Sequence, residues 1–273
     1  MTDKKTRINQ FDFGENWNEF SINALDQEKV KAAKLEFDDL LKGIDLDGMS
    51  FLEIGFGQGL SLIFAAQAGA RVVGCDINPK CAEALTATNN VVQYSGITGI
   101  ELVIGSILEE VTVEKLKRNI EASGGYDIVH SWGVLHHTGE MWKAIKNSAS
   151  LVKPGGYFAI AIYNRHWSSA PWWLIKRIYV SAPRFVQKVL IGLFSPIIWL
   201  AKLLVTRQRP GKMARGMDFH YNVIDWVGGY PYEYASIEEI VKPLQQMGFN
   251  LVHSTEAEVP TGCNEFLFRK VRR

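Results

Sequence analysis

Cysteine is scarce in this 273-residue chain, and no two cysteines stand at a redox or metal-binding spacing. Cys75, Cys81 and Cys263 are the only three. This excludes paired CxxC zinc motifs and a disulfide framework, and it fits a reducing compartment. No other metal-ligand spacing stands out, so we expect no bound metal. The polar N-terminus MTDKKTRINQFDFGENW has no apolar signal core, and we therefore expect a cytoplasmic protein.

Acidic residues are absent from residues 141–217, although this stretch contains 13 lysines and arginines. The net charge of the whole chain is only +1, so the rest of the chain is acidic. A nearly balanced total argues against a nucleic-acid binder that works through bulk electrostatics, and we expect no nucleic-acid partner. The asymmetry joins an acidic part to a basic part.

Strand-like and helix-like segments alternate in the first 163 residues. An amphipathic helix is predicted over residues 26–41. The predicted strands are 50–55, 71–76, 100–105, 126–132 and 156–163, and the helices between them lie near 58–69, 79–94, 107–121 and 140–152. The turn KPGG (153–156) is expected to end a helix and begin the fifth strand. This alternation predicts a doubly wound α/β fold with a parallel sheet.

The alternation stops after Tyr163 and resumes near the C-terminus. A helix with a Ser236–Glu239 capping box is predicted over 236–248, followed by strands 249–255 and 264–270. Strands this close cannot be joined by a crossover helix, so they should pair as a hairpin with the last strand antiparallel. We expect a seven-stranded, mostly parallel sheet with an insertion between strands 5 and 6.

The segment FLEIGFGQG, followed by Asp76, is the most informative part of the chain. A buried strand leads into glycines 55, 57 and 59, and the next strand ends in an acid. This arrangement is typical of α/β proteins that hold an adenosine-bearing cofactor. Leu60 stands where a dinucleotide fold has its third glycine, and Glu53 would repel a pyrophosphate. A carboxylate beside a cationic methionine group is tolerable, which favours S-adenosylmethionine.

With its other motifs the chain resembles the class I S-adenosylmethionine-dependent methyltransferases. The matching motifs are ExGxGxG (53–59), Asp76, GSI (105–107), SWGVLHHT (131–138) and LVKPGG (151–156). The resemblance covers about residues 45–165 and, more loosely, the final helix and hairpin. It implies a seven-stranded sheet, S-adenosylmethionine as cofactor and S-adenosylhomocysteine as product.

The resemblance also implies which residues bind the cofactor. Ser106 and Ile107 should flank the adenine, although many relatives have Asp where this chain has Ser106. Ser131 and Trp132 should lie beneath the methionine part, and Trp17 should fold over the cofactor, as N-terminal segments do in relatives similar to the quinone-biosynthesis methyltransferases. The complete predicted set is Trp17, Glu53, Gly55, Phe56, Gly57, Gly59, Asp76, Ile77, Ser106, Ile107, Ser131 and Trp132.

The acceptor site is predicted from polar residues expected at the carboxyl edge of the sheet. Methyl transfer to oxygen usually requires a base, and His136 or His137 suits that role, with His136 favoured. The alternative is that these histidines only cap the next helix. The predicted acceptor-binding residues are Tyr163, His166, Asp218, His220, Tyr221, Tyr232, Glu233 and Glu265. We expect O-methylation of a small or medium-sized organic acceptor with an apolar part; N-methylation and a non-catalytic subunit of the same fold are the alternatives.

The insertion is basic, aromatic and apolar. Its longest uncharged run, 189–201, has 13 residues and contains Pro196, which predicts a segment too short to span a membrane. Three roles remain open: a lid over the acceptor, a homodimer contact, or a helix lying on an anionic membrane surface. The last would make the cytoplasmic protein membrane-peripheral. The predicted division is a helical N-terminal cover (1–44), a cofactor-binding core (45–164 and 233–273) and the insertion (165–232).

Overall fold

A seven-stranded sheet forms the centre of the computed structural model, which describes residues 10–120, 123–207 and 216–272. The basic residues Arg209, Lys212 and Arg215 and the first nine residues of the predicted N-terminal cover lie outside the described residues. The strands are β1 (Ser50–Ile54), β2 (Arg71–Asp76), β3 (Glu101–Ile104), β4 (Tyr126–Trp132), β5 (Val152–Tyr163), β6 (Phe249–Thr255) and β7 (Cys263–Lys270). Their order across the sheet is β3-β2-β1-β4-β5-β7-β6.

Helices cover both faces of this sheet. They are α1 (Phe13–Asn23), α2 (Gln27–Leu40), α3 (Leu60–Gln67), α4 (Lys80–Val92), α5 (Glu110–Arg118), α6 (Met141–Ser150), α7 (Ser169–Ser181), α8 (Arg184–Thr206), α9 (Phe219–Gly228) and α10 (Ile237–Gln246). Successive strand residues point to opposite faces, so Leu52 and Phe51 of β1 belong to the two different hydrophobic clusters on either side. A sheet buried on both faces explains why the strands contain nearly continuous apolar runs.

The strand pairing confirms the predicted topology. Strands β1 to β5 pair in parallel, and β7 runs antiparallel to both β5 and β6. The predicted capping box of α10 is present, with Ser236 and Glu239 each bonding the other's backbone. Strands β2 and β4 lie on opposite sides of β1, so the strand order reverses there. In open α/β sheets, ligands bind in the crevice at such a reversal.

The fifth strand begins earlier than predicted. It starts at Val152, so the KPGG sequence lies within the strand instead of preceding it. Val152 pairs with Tyr126, and the register then shifts before Tyr157 pairs with Ile128. The irregular pairing accommodates Gly155, whose φ is +80°, a conformation that glycine adopts readily.

The insertion leaves and rejoins the sheet at one place. Asn164 and Ala235 form a parallel β-bridge, and the Ala235 N–H donates to the Tyr163 carbonyl at 3.0 Å. Between these points α7, α8 and α9 pack together around Tyr179, Val223 and Val227. The insertion therefore stands directly above the end of β5.

Helix α8 corrects one prediction from the sequence. It is a continuous helix of 23 residues that by length and composition is apolar enough to cross a membrane. The prediction of a segment too short for a span was wrong about the helix length, because it counted only the uncharged run; Lys188 and Lys202, which bound that run, both lie within the helix.

Candidate active site

A cavity of about 990 Å³ opens at the carboxyl edge of the sheet. The ends of β1, β2 and β4 and the loop after β3 line one part, together with α1. The end of β5, the start of β7 and residues of α7, α8 and α9 line the other part. We call these the cofactor compartment and the lid compartment. The cavity thus joins the predicted cofactor motifs to the insertion.

The glycine turn after β1 shapes the cofactor compartment. Gly55, Gly57 and Gly59 all have positive φ, at 73°, 52° and 77°, where side chains are disfavoured. A β-carbon at Gly57 would lie 3.1 Å from the indole of Trp17. Trp17 of α1 therefore lies over the turn, and it lines the same cavity as Phe56.

Asp76 closes the turn from the end of β2. One carboxylate oxygen accepts the Gly57 N–H at 3.1 Å, and the other accepts the Asn78 N–H at 2.9 Å. The side chain is buried, and this burial raises its pKa. Asp76 and Ile77 both line the cavity, so the acid is placed where nucleotide folds bind ribose hydroxyls.

Glu53 lines the cavity and carries an unsatisfied oxygen. Its Oε1 lies 3.1 Å from Nδ1 of His130, which pairs with it across β1 and β4. Among the described residues, Glu53 Oε2 is buried without a hydrogen-bond partner. A buried polar atom normally has a partner; a cationic methionine group would supply one, so this site fits S-adenosylmethionine. Sequence reasoning missed His130, whose signal was its place opposite Glu53 in the next strand.

The remaining predicted cofactor residues divide into two groups. Ser106, Ile107 and Trp132 line the cavity, and Trp132 Nε1 donates to Glu265 Oε1 at 2.5 Å. Ser131 does not line the cavity. Its side chain is fully buried and donates to the Ile54 carbonyl at 2.9 Å. The prediction for Ser131 therefore fails because alternate residues of β4 point to opposite faces, and this side chain ties β4 to β1.

His136 is part of the core and does not line the cavity. Its Nδ1 accepts the Tyr163 backbone N–H at 3.3 Å, and the two rings lie 4.0 Å apart. Burial lowers the pKa of His136 well below its ordinary value. The structure therefore does not support the prediction that favoured His136 as the base.

His137 does line the cavity. Its Nδ1 donates to the Pro231 carbonyl at 2.6 Å, which leaves Nε2 as the acceptor nitrogen of the neutral ring. Burial, together with the positive charge of Lys176, lowers the pKa of His137 to about 3. His137 thus lines the cavity, but it is a weak base at neutral pH.

Two of the predicted acceptor residues, Tyr163 and Glu265, line the cavity. The other six do not: His166, Asp218, His220, Tyr221, Tyr232 and Glu233.

Both acids that were predicted to bind the acceptor but lie outside the cavity cap helices instead. Asp218 accepts the His220 N–H at 2.8 Å and caps α9. Both oxygens of Glu233 accept the Met141 N–H, at 3.1 and 3.0 Å, and cap α6. Capping by acids is common and favourable at a helix N-terminus, so these carboxylates have structural roles.

The other four side chains are used in local packing. His166 Nδ1 lies 2.8 Å from Ser168 Oγ. Tyr221 packs on Phe20 with ring centroids 5.7 Å apart, and the exposed His220 lies beside Tyr221. Tyr232 is buried against Tyr163, with ring centroids 5.2 Å apart.

The lid compartment contains residues that sequence reasoning missed. Trp172 of α7, Ile198 of α8, and Asp225 and Trp226 of α9 line it. The ring centroids of Trp172 and Trp226 are 5.2 Å apart. The signal was the helical pattern of DFHYNVIDWVGG, which places Asn222, Asp225 and Trp226 on one face. The sequence interpretation expected acceptor-binding residues in this segment, but it chose Asp218, His220 and Tyr221 and assigned no helix there.

Residues 27–254 match the model of a family described as "Methyltransferase domain". This chain belongs to that family. It is a class I S-adenosylmethionine-dependent methyltransferase, and S-adenosylmethionine is its cofactor, as the glycine turn and Asp76 predicted. Among the described residues, no group of three or more His, Cys, Asp or Glu is arranged to hold a metal ion.

Similar proteins include two ubiquinone biosynthesis O-methyltransferases. The protein from Bordetella avium is 30% identical over 151 residues, which are 55% of this chain and 57% of that protein. The protein from Marinobacter nauticus is 29% identical over 123 residues, 45% of this chain and 48% of that protein. The chain spans about half the length of the curated relatives it matches.

Solved structures support the fold. The magnesium protoporphyrin IX methyltransferase from Synechocystis PCC 6803, crystallised with bound S-adenosylhomocysteine, superimposes with a TM-score of 0.54 at 18% identity, covering 94% of this chain and 93% of that chain. An O-methyltransferase family protein from Burkholderia thailandensis gives a TM-score of 0.52 at 15% identity, covering 89% of this chain and 57% of that chain. At these identities the similarity concerns the fold.

Proposed function

We propose that this methyltransferase methylates a hydroxyl oxygen of a small or medium-sized organic molecule that has an apolar part. The observation that carries the proposal is the continuous cavity, in which the cofactor compartment opens into a compartment lined by Trp172, Ile198, Val205 and Trp226. Apolar walls with a few polar groups are typical of sites for small organic ligands. The curated relatives that match this chain over about half of their length are named as O-methyltransferases, which supports oxygen as the target.

The residues that line the cavity suggest separate roles for its two parts. Glu53 and Asp76 would hold the ends of S-adenosylmethionine, with Trp17 covering it. When bound, this cofactor supplies an electrophilic methyl group: the acceptor oxygen forms the new O–C bond, the electron pair of the broken S–C bond stays on sulfur, and the hydroxyl proton passes to a base. The protein mainly has to align the acceptor and exclude water. We infer that α7, α8 and α9 act as the lid that does this, with the insertion (165–232) as a unit distinct from the core (45–164 and 233–273) and the N-terminal cover (1–44).

The test is methyl transfer to a panel of acceptors. Phenols, catechols, alcohols and amines, each with and without an alkyl tail, are incubated with methyl-labelled S-adenosylmethionine, and labelled products are identified by mass spectrometry. We expect O-methyl products, formed faster from the tailed members. Labelled N-methyl products alone would establish the alternative, an N-methyltransferase. Transfer to no member, despite S-adenosylhomocysteine binding measured by calorimetry, would contradict the proposed acceptor class.

We also propose that the outer face of α8 lies on an anionic membrane surface. Phe185, Val189, Leu193, Ile197, Leu200 and Leu204 form an exposed row along this face, spaced as one side of a helix. Its other side packs on α7 and α9 and lines the cavity, which favours a helix lying along a surface over one that crosses a membrane. The absence of acids from 141–217 complements negatively charged lipids.

Flotation with vesicles tests the membrane proposal. We expect binding to vesicles that contain phosphatidylglycerol, weaker binding to pure phosphatidylcholine, and loss of binding in the Leu193→Glu variant. The control is Leu35→Glu, since Leu35 is an exposed leucine of α2 and this change should leave binding intact. A stable dimer by light scattering that is abolished by Leu193→Glu, without vesicle binding, would instead assign this face to a homodimer contact.

A further inference from the structure

An acid in the wall of the lid compartment interacts with a buried base behind it. Asp225 of α9 lines the cavity, and among the described residues its Oδ1 is buried without a hydrogen-bond partner. Lys176 of α7 is fully buried, and its Nζ donates to the Trp226 carbonyl. The ammonium also lies over the rings of Trp226 at 4.5 Å and Tyr232 at 4.8 Å. The lysine is thus held by a carbonyl and aromatic faces, while the carboxylate keeps an unused oxygen.

Such groups are costly to bury for structure alone. Removing an ionised side chain from water costs several kcal/mol unless partners compensate, and a buried polar atom without a partner normally has an explanation. The aromatic faces and the carbonyl compensate the charge of Lys176. Asp225 lines the cavity, so a molecule bound there can contact its side chain.

The protonation of Asp225 suits proton transfer near neutral pH. Burial raises the pKa of Asp225 to about 6, and the positive charge of Lys176 limits the rise. Burial in turn lowers the pKa of Lys176 to about 7. A general base works best when its pKa lies near the working pH. His137, with a pKa of about 3, is the weaker base in the same cavity.

We propose that Asp225 is the catalytic base that accepts the hydroxyl proton of the acceptor. As the acceptor O–H bond breaks, its electron pair remains on the oxygen that forms the bond to the methyl carbon, and the proton passes to the Asp225 carboxylate. Lys176 is a positioning residue that keeps this carboxylate ionised at neutral pH. The proposal rests on the proposed O-methylation.

Other titratable groups share this compartment and enter its pH dependence. Lys176 interacts with Asp225 from outside the lining, and the other titratable groups that line the cavity are Asp12, Glu36, Glu53, Cys75, Asp76, Cys81, His137, Tyr163, Lys202, Glu256, Glu258, Cys263 and Glu265. Of these, Lys176 is the group whose charge lowers the pKa of Asp225. Its replacement should therefore raise the pH at which Asp225 ionises.

The experiment uses the best hydroxyl acceptor from the panel described above. The Asp225→Asn variant should lose roughly 100- to 1,000-fold in kcat, while its affinity for S-adenosylhomocysteine should change less than about threefold. In the wild type, kcat should rise with pH as Asp225 loses its proton, around pH 6. The Asp225→Asn variant should lack this rise. Asp225→Glu, which keeps the carboxylate, should retain this rise with an intermediate rate. Lys176→Met should shift the rise to higher pH. Asp218→Asn, which changes the cap of the same helix, is the matched control and should keep the wild-type rate and profile.

The outcomes separate the two proposals. If the wild type makes O-methyl products and Asp225→Asn keeps its rate and pH profile, the assignment of Asp225 is overturned and O-methylation stands. If the wild type makes only N-methyl products or none, O-methylation fails and the base assignment fails with it. If Asp225→Asn does not bind S-adenosylhomocysteine, the Asp225→Glu variant provides the test, because its longer side chain displaces the carboxylate. A wild-type pH profile together with the full wild-type rate in Asp225→Glu would also overturn the assignment.

Discussion

The two compartments of the cavity are built in different ways. The cofactor compartment is assembled from short motifs at the ends of adjacent strands, with Glu53, Gly57 and Asp76 within 24 residues of one another. The lid compartment brings together Tyr163, Trp172, Asp225 and Cys263, which lie on different elements across 101 positions. A parallel sheet fixes the first set through its register. The second set depends on how the inserted helices pack. Local motifs therefore reveal the cofactor, while the acceptor chemistry depends on tertiary contacts.

Asp76→Ala should give the largest difference between the compartments, measured as a loss of S-adenosylhomocysteine affinity. This change removes the acceptor of two backbone N–H bonds that shape the turn and the proposed contact with the ribose. We expect S-adenosylhomocysteine binding to weaken by about 3 kcal/mol, roughly 100-fold, as measured by calorimetry. Asp225→Asn is the matching change in the lid compartment and should leave this affinity almost intact. Equal losses in both variants would show that the compartments do not act separately.

A second, smaller effect concerns His136, which is buried against His137 and Tyr163. Burial lowers its pKa below the ordinary 6.5, so the unfolded chain binds more protons than the folded one below pH 6.5. Folding stability is therefore fully present above that pH and falls as the solution is acidified. Between pH 7.5 and pH 5 the wild type should therefore lose more stability than His136→Gln, which lacks this titrating group. Denaturant unfolding at pH 7.5 and pH 5 measures it; identical losses in wild type and variant would mean that His136 is protonated in the folded protein.

The smallest effect should come from Trp172→Ala in the lid compartment. Trp172 packs between Phe194 and Trp226, with ring centroids 5.6 and 5.2 Å away. Its loss should raise the acceptor KM about tenfold through lost apolar and aromatic contact, with cofactor affinity unchanged. Trp167→Ala is the control, because Trp167 is 82% exposed and should affect neither constant. Steady-state kinetics with varied acceptor would make the comparison, and an unchanged KM for Trp172→Ala would remove this tryptophan from the acceptor site.

Much of the cofactor compartment was predictable because its residues are defined by their place on a strand or in a turn. Gly57 needs a positive φ and Asp76 ends a strand beside it, so sequence spacing alone brings them together. Ser131 was misplaced because the side to which a strand residue points depends on register, and one position separates it from Trp132, which does line the cavity. His136 and His137 differ in the same way: they are neighbours in sequence, but only one reaches the cavity.

The sequence by itself determined the doubly wound sheet, the antiparallel last strand and the cofactor, because hydrophobic periodicity and backbone geometry are local properties. Tertiary structure decided which polar residues of the insertion meet the cavity. Asp218, Tyr221 and Asp225 lie within a few residues of one another, yet the first caps α9, the second packs on α1, and the third lines the lid compartment. The physical reason is that the packing of α9 against α1, α7 and α8 sets the direction of each helix face, and no local pattern specifies those contacts.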